Sequence, residues 1–231
     1  MPQETSLPSF SRLASSPFGL AEPTASLSPP YFSSNKGTIT MDNKQWAPSV
    51  ILVDADYLDR VAFDLTVNFE RMIGRHIPQA DLCHWIDCIA LDGGLRPGEH
   101  ETQVHFLHPK EKEAFRHFTP SSFTEDINGL SFSDNLGRFN LFAFPVEEIV
   151  SADEFFIQSF TMLADAKEID RLIVVGDMAA YGDTLRKLCA QTEGKEITLM
   201  TMEPVPGKGF QQEILGYSLM SALGIKSEEL Q

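Results

Sequence analysis

Ser49-Val50-Ile51-Leu52-Val53-Asp54-Ala55-Asp56 is the stretch from which the rest of the chain is read. Its apolar run is mostly β-branched and lacks the polar alternation of a half-exposed strand, so it describes a strand buried on both faces. Such strands belong to parallel sheets covered by helices. In those sheets ligands bind beyond the carboxyl ends of the strands. This strand ends in two carboxylates, Asp54 and Asp56.

Downstream, apolar residues at Leu58, Val61, Ala62, Leu65, Phe69, Met72 and Ile73 give helical spacing over 57–75, closed by Gly74. Pro78 is suited to the first turn of a second helix, which Gly93 and Gly94 end. A strand is expected over 103–108, with Val104 and Phe106 facing one way and His105 and Leu107 the other. Residues 110–118 read as a helix and 119–137 as a loop or hairpin. A strand over 139–144 is closed by Pro145. Then come a helix over 153–166, a buried strand over 171–175, a helix over 179–191, a strand over 196–201 and a last helix over 210–223 stopped by Gly224. Strands alternating with helical crossovers predict an α/β fold, a three-layer α/β/α sandwich with a mainly parallel sheet, in one domain over 45–231.

Upstream, residues 1–44 are rich in Ser, Pro and Thr and show neither periodicity. They are expected to be disordered, since they cannot bury enough apolar surface to offset their ordering entropy. A tail of this kind and a start of translation at Met41 are both compatible with the sequence.

Composition narrows the function classes. The chain has 231 residues and a formal charge of -15, which works against long-range attraction to nucleic acid. Arg171, Arg186, Lys187 and Lys195 fall in one region, but among many acids. No apolar run approaches the roughly 20 residues that cross a bilayer, so no membrane partner is expected. The first residues do not resemble a secretory leader. Both features point to the cytoplasm. Cys83, Cys88 and Cys189 are too few and too unevenly spaced for a disulfide framework, and Cys83 and Cys88 read as buried thiols on a helix. His105 and His108 face opposite sides of their strand on a period of two, a poor arrangement for a shared metal. Gly207-Lys208-Gly209 lacks the earlier Gly and the following Ser or Thr of a phosphate-binding loop.

The acids carry the chemistry. Asp177 follows the second buried strand as Asp54 follows the first, and Asp153 opens the helix leading into that strand. Carboxylates gathered at one end of a sheet repel one another unless a cation, a raised pKa or solvent intervenes. Their hard oxygens suit Mg²⁺ or Mn²⁺, which assist phosphodiester displacement. Each acid has a structural reading too. Asp153 and Asp177 are placed to cap a helix, as is Asp54 or Asp56.

The run Ile51-Leu52-Val53-Asp54-Ala55-Asp56-Tyr57-Leu58 resembles the opening of NYN domains, a branch of the PIN-like nucleases. The run from Val146 to Asp153 resembles the family's segment that sets an acid at the start of a helix. Leu172-Ile173-Val174-Val175-Gly176-Asp177 resembles its strand and S-G-D-x-D-F turn. The resemblance spans about residues 48–223 and is weak over 76–140. It implies a PIN-like sandwich and an Mg²⁺- or Mn²⁺-dependent endoribonuclease, with Asp54, Asp153 and Asp177 as catalytic and metal-binding residues, Asp56 as a weaker ligand, and RNA as substrate. The family's Asn position holds Tyr57, and the second acid of its turn is Ala179 followed by Ala180, with Tyr181 one residue further on. A non-catalytic binding or scaffolding module on the same fold, with a protein partner or a second copy as its ligand, therefore stands beside the nuclease. Val53-Asp54-Ala55-Asp56 is also similar to the first motif of haloacid-dehalogenase-like phosphatases, and Gly176-Asp177 through Asp183 to their last. That resemblance lacks a well-placed Lys and a Ser/Thr strand.

Overall fold

The computed structural model describes residues 46–146 and 149–230, together with the backbone of three short strands at Ser9–Arg12, Ser33–Asn35 and Thr38–Thr40. The rest of the segment expected to be disordered, 1–44, lies outside the described residues, as does the start at Met41.

Seven of the eight strands of the sheet are β1 (Ser49–Asp54), β2 (Glu101–Pro109), β3 (Leu130–Asp134), β4 (Gly137–Val146), β5 (Arg171–Val175), β6 (Glu196–Thr201) and β7 (Gln211–Ile214). Their spatial order is β3-β4-β2-β1-β5-β6-β7, and every neighbouring pair is parallel except the β3–β4 hairpin. Ser9–Arg12 runs antiparallel along the outer side of β3. The helices are α1 (Ala55–Ile73), α2 (Leu82–Asp92), α3 (Ala152–Asp165), α4 (Gly182–Cys189) and α5 (Leu215–Ala222).

The period of two divides the buried side chains between two cores. Ile51, Val53, Val104, Phe106, Ile173 and Val175 join one core with residues of α1, α2 and α5. Val50, Leu52, Leu107, Leu172 and Val174 join the other with residues of α3 and α4. Helices on both faces of a mainly parallel sheet make the expected three-layer sandwich.

Four local expectations are overturned, each by a tertiary partner. Residues 110–118 are not a helix: the amides of Arg116 and His117 point at the Asp59 carboxylate, and Phe115 donates to the Ser121 carbonyl. With those donors spent, an i→i−4 ladder cannot form. The second helix starts at Leu82 rather than Pro78, because Ala80–Asp81 is held extended against Phe118–Thr119 and Asp81 caps the helix through the His84 amide. Residues 211–214 of the expected last helix instead form β7, which pairs with β6 and leaves α5 to begin at Leu215. β4 runs through Pro145 to Val146. β3 covers only Gly137 to Asn140, so Pro145 sits where β4 has β2 as its sole strand neighbour and a missing N–H is tolerated.

β1 is the central strand. The chain leaves it for β2 on one side and comes back through α3 to β5 on the other. The carboxyl ends of β1 and β5 thus flank the point where the winding direction changes, the usual ligand crevice of such sheets.

Candidate functional site

Asp54 is the last residue of β1 and the N-cap of α1, its Oδ1 accepting from the Tyr57 amide at 3.0 Å. It, and not Asp56, is the cap. Its Oδ2 accepts from the Tyr181 hydroxyl at 2.8 Å. That hydroxyl also accepts from the Asp177 amide at 2.9 Å, so Tyr181 ties the end of β1 to the turn after β5. Gly176 makes the approach of Tyr181 possible: a Cβ there would lie 2.7 Å from the Tyr181 oxygen and 2.9 Å from Phe156. Tyr181 stacks on Phe156 with ring centroids 4.7 Å apart. Burial, foremost, raises the Asp54 carboxyl above its ordinary range, against the lowering pull of its two hydrogen bonds.

Asp177 accepts at Oδ1 from the amides of Ala179 and Ala180 (2.9 and 3.2 Å), so it caps the turn ahead of α4 rather than the helix itself, which begins at Gly182. Its Oδ2 takes a 2.6 Å hydrogen bond from the Arg60 guanidinium. Arg60 also lies 3.8 Å from Asp56 and over the Tyr57 ring at 5.6 Å. Asp56 is bonded to Lys112 at 3.0 Å, and Lys112 reaches Asp59 at 2.8 Å. Asp59 is 3% exposed and holds its charge, because the Lys112 bond and the amides of His117 and Arg116 more than offset its desolvation.

Asp153 is not a cap. Ser151 caps α3, in a capping box with Glu154, and leaves Asp153 in the first turn with an exposed side chain. The three acids expected to act together, Asp54, Asp153 and Asp177, do line one cleft of about 120 Å³, with Asp56, Tyr57 and Arg60. Asp183 is ion-paired to Arg186 and is not among the cleft residues.

A resident hard cation asks for several carboxylate oxygens left free to face it. Here each acid but Asp153 already has its own donor: Tyr181 and an amide on Asp54, Lys112 on Asp56, Arg60 and two amides on Asp177. Among the described residues no group of three or more His, Cys, Asp or Glu is gathered so as to hold a metal ion. As arranged, the donor set does not fit one.

Sequence reasoning missed Arg60 and Lys112. Arg60 follows Asp56 by four residues, a readable ion-pair spacing. Lys112 reaches Asp56 only through the irregular path of 110–117. His105 and His108 remain apart, His105 against Trp46, Phe142 and Phe144 and His108 stacked on Phe123 at 4.1 Å. Cys83 is buried and Cys88 half-buried on α2. No helix among the described residues is long and apolar enough to cross a membrane.

A three-layer sandwich with a polar cleft at its switch point defines the class of protein. The chain belongs to the family described as a family of unknown function (DUF6621), whose model matches residues 43–230. No curated protein and no solved structure matches it.

Proposed function

We propose that this chain is a non-catalytic binding domain on a PIN-like sandwich, taking its ligand at the carboxyl ends of β1, β2 and β5. The observation that supports this is the Arg60–Asp177 ion pair in the acid cleft. A cation belonging to the chain sits on the carboxylate that a divalent ion would need, and Tyr181 occupies Asp54. With both Asp54 oxygens bonded, the same contacts also disfavour attack by Asp54 on a phosphate ester.

A second reading, Mg²⁺- or Mn²⁺-dependent ribonuclease, is favoured by Asp54, Asp56, Asp153 and Asp177 lining one cleft. A divalent ion would then have to displace Arg60. The two separate in one experiment. Purified protein is incubated with single-stranded RNA and Mn²⁺, and Mn²⁺ is titrated into wild type and Arg60→Ala by calorimetry. The binding reading expects intact RNA and no saturable Mn²⁺ binding in wild type. Cleavage that requires Mn²⁺ and disappears in Asp54→Asn overturns it in favour of the nuclease.

A further inference from the structure

A second pocket, of about 580 Å³, lies beside the acid cleft. One wall is a single face of α1, where Asp56, Asp59, Arg60 and Phe63 recur at helical spacing. The other is the segment after β2 that carries Lys112, Arg116 and His117. Its volume is in the range of small-ligand sites. Its lining holds three cations (Arg60, Lys112, Arg116) against three carboxylates (Asp56, Asp59, Glu111). In a chain of net charge -15, that balance makes it a place where an anion meets little local repulsion.

The cations are not equivalent. Lys112 is held by Asp56 and Asp59, and Arg60 by Asp177 and Asp56. The Arg116 side chain is exposed and has no carboxylate partner among the described residues. Its backbone amide is nevertheless fixed on the buried Asp59 at 3.1 Å, so the guanidinium starts from a rigid base. Across the pocket Phe63 is 48% exposed, and it pairs with the His117 ring at 5.2 Å. A guanidinium without a carboxylate partner among the described residues, lining the same pocket as a half-exposed aromatic ring, asks for an anion joined to a flat ring. Arg presents a planar fork that fits phosphate oxygens, and ring stacking is tolerant of the base presented.

We propose that this pocket binds a phosphate monoester carrying a flat ring, a ligand of the mononucleotide class, with Arg116 on the phosphate and Phe63 against the ring. The inference rests on the binding-domain reading and sets a ligand in the pocket beside the acid cleft, with which it shares Asp56 and Arg60. Arg116 and Phe63 are exposed, so their substitution leaves the core intact, which thermal melting verifies.

The test is calorimetric titration of the full chain with AMP, UMP, adenosine, inorganic phosphate and benzoate. AMP or UMP is expected to bind saturably, about tenfold more tightly than adenosine or phosphate alone. Arg116→Ala and Phe63→Ala should each weaken AMP by roughly tenfold, and Asp183→Ala should leave it unchanged. Three results would overturn the proposal: no saturable binding of either nucleotide, equal affinity in Arg116→Ala and wild type, or benzoate binding as well as AMP. Failure here leaves the binding-domain reading standing, whereas Mn²⁺-dependent RNA cleavage removes that reading whether or not nucleotides bind.

Discussion

The Tyr181 hydroxyl donates to Asp54 Oδ2 at 2.8 Å while accepting from the Asp177 amide at 2.9 Å, so one side chain joins the ends of two adjacent parallel strands at the switch point. Tyr181→Phe deletes that oxygen and keeps the ring on Phe156. It leaves a partly buried amide and a carboxylate oxygen without that partner, and should cost about 1 kcal/mol by chemical denaturation. The pH behaviour follows from Asp54. Its folded-state pKa is raised by burial above the model-compound 3.8, so its contribution is full below that value and is lost as pH rises through the folded pKa. Since the Tyr181 bond lowers that pKa, Tyr181→Phe should push the Asp54 titration to higher pH, read by carboxyl-carbon NMR.

Arg60 is half exposed, and exposed ion pairs contribute little. Arg60→Ala should therefore change stability by under about 1 kcal/mol. Its larger effect is electrostatic: it takes the cation off Asp177 and Asp56. The variant should be stabilised by millimolar Mn²⁺ in a thermal melt, and wild type should not.

Asp59 is the keystone of the 110–117 path. Asp59→Ala leaves Lys112 with Asp56 as its carboxylate partner but frees the amides of Arg116 and His117. A loss of about 1–3 kcal/mol is expected, the cost of leaving those backbone donors without an acceptor. Asp59 has a folded pKa below 3.8, so its stabilisation is present above that value and lost as pH falls through the folded pKa. Denaturation midpoints at pH 3 and pH 6 should therefore differ less in Asp59→Asn than in wild type.

Asp87, on α2, has a buried Oδ1 without a hydrogen-bond partner, and its pKa is pushed up to about 8 by burial and by the neighbouring Asp134. Its contribution is full below 3.8 and falls as pH rises toward about 8, where the proton leaves. Asp87→Asn removes the charging event. The variant should gain stability relative to wild type between pH 6 and pH 9, and a pH-independent difference across that interval would sink the assignment.

Much of the framework was legible. The strand at 171–175 and the strand at 196–201 coincide with β5 and β6, because an apolar run buried on both faces declares itself through hydrophobicity alone. Gly74 ends α1 in the left-handed region, φ 68°, as its position after the last apolar residue implied. The helix expected at 110–118 failed because local propensity cannot see Asp59, some 57 residues away, taking the amides. The Gln211–Ile214 strand was hidden for a similar reason, since only its pairing with β6 makes it a strand.

By itself, then, the sequence determined the layered α/β architecture and the placing of Asp54 and Asp177 at strand ends, since both follow from periodicity and chain order. What those acids touch was decided only by the tertiary structure. Arg60 reaches Asp177 across 117 residues and Tyr181 reaches Asp54 across 127. A carboxylate at a strand end has the same local signature whether it awaits a metal ion or is already paired. The difference lies in partners that only the closing of the sheet brings within hydrogen-bond distance.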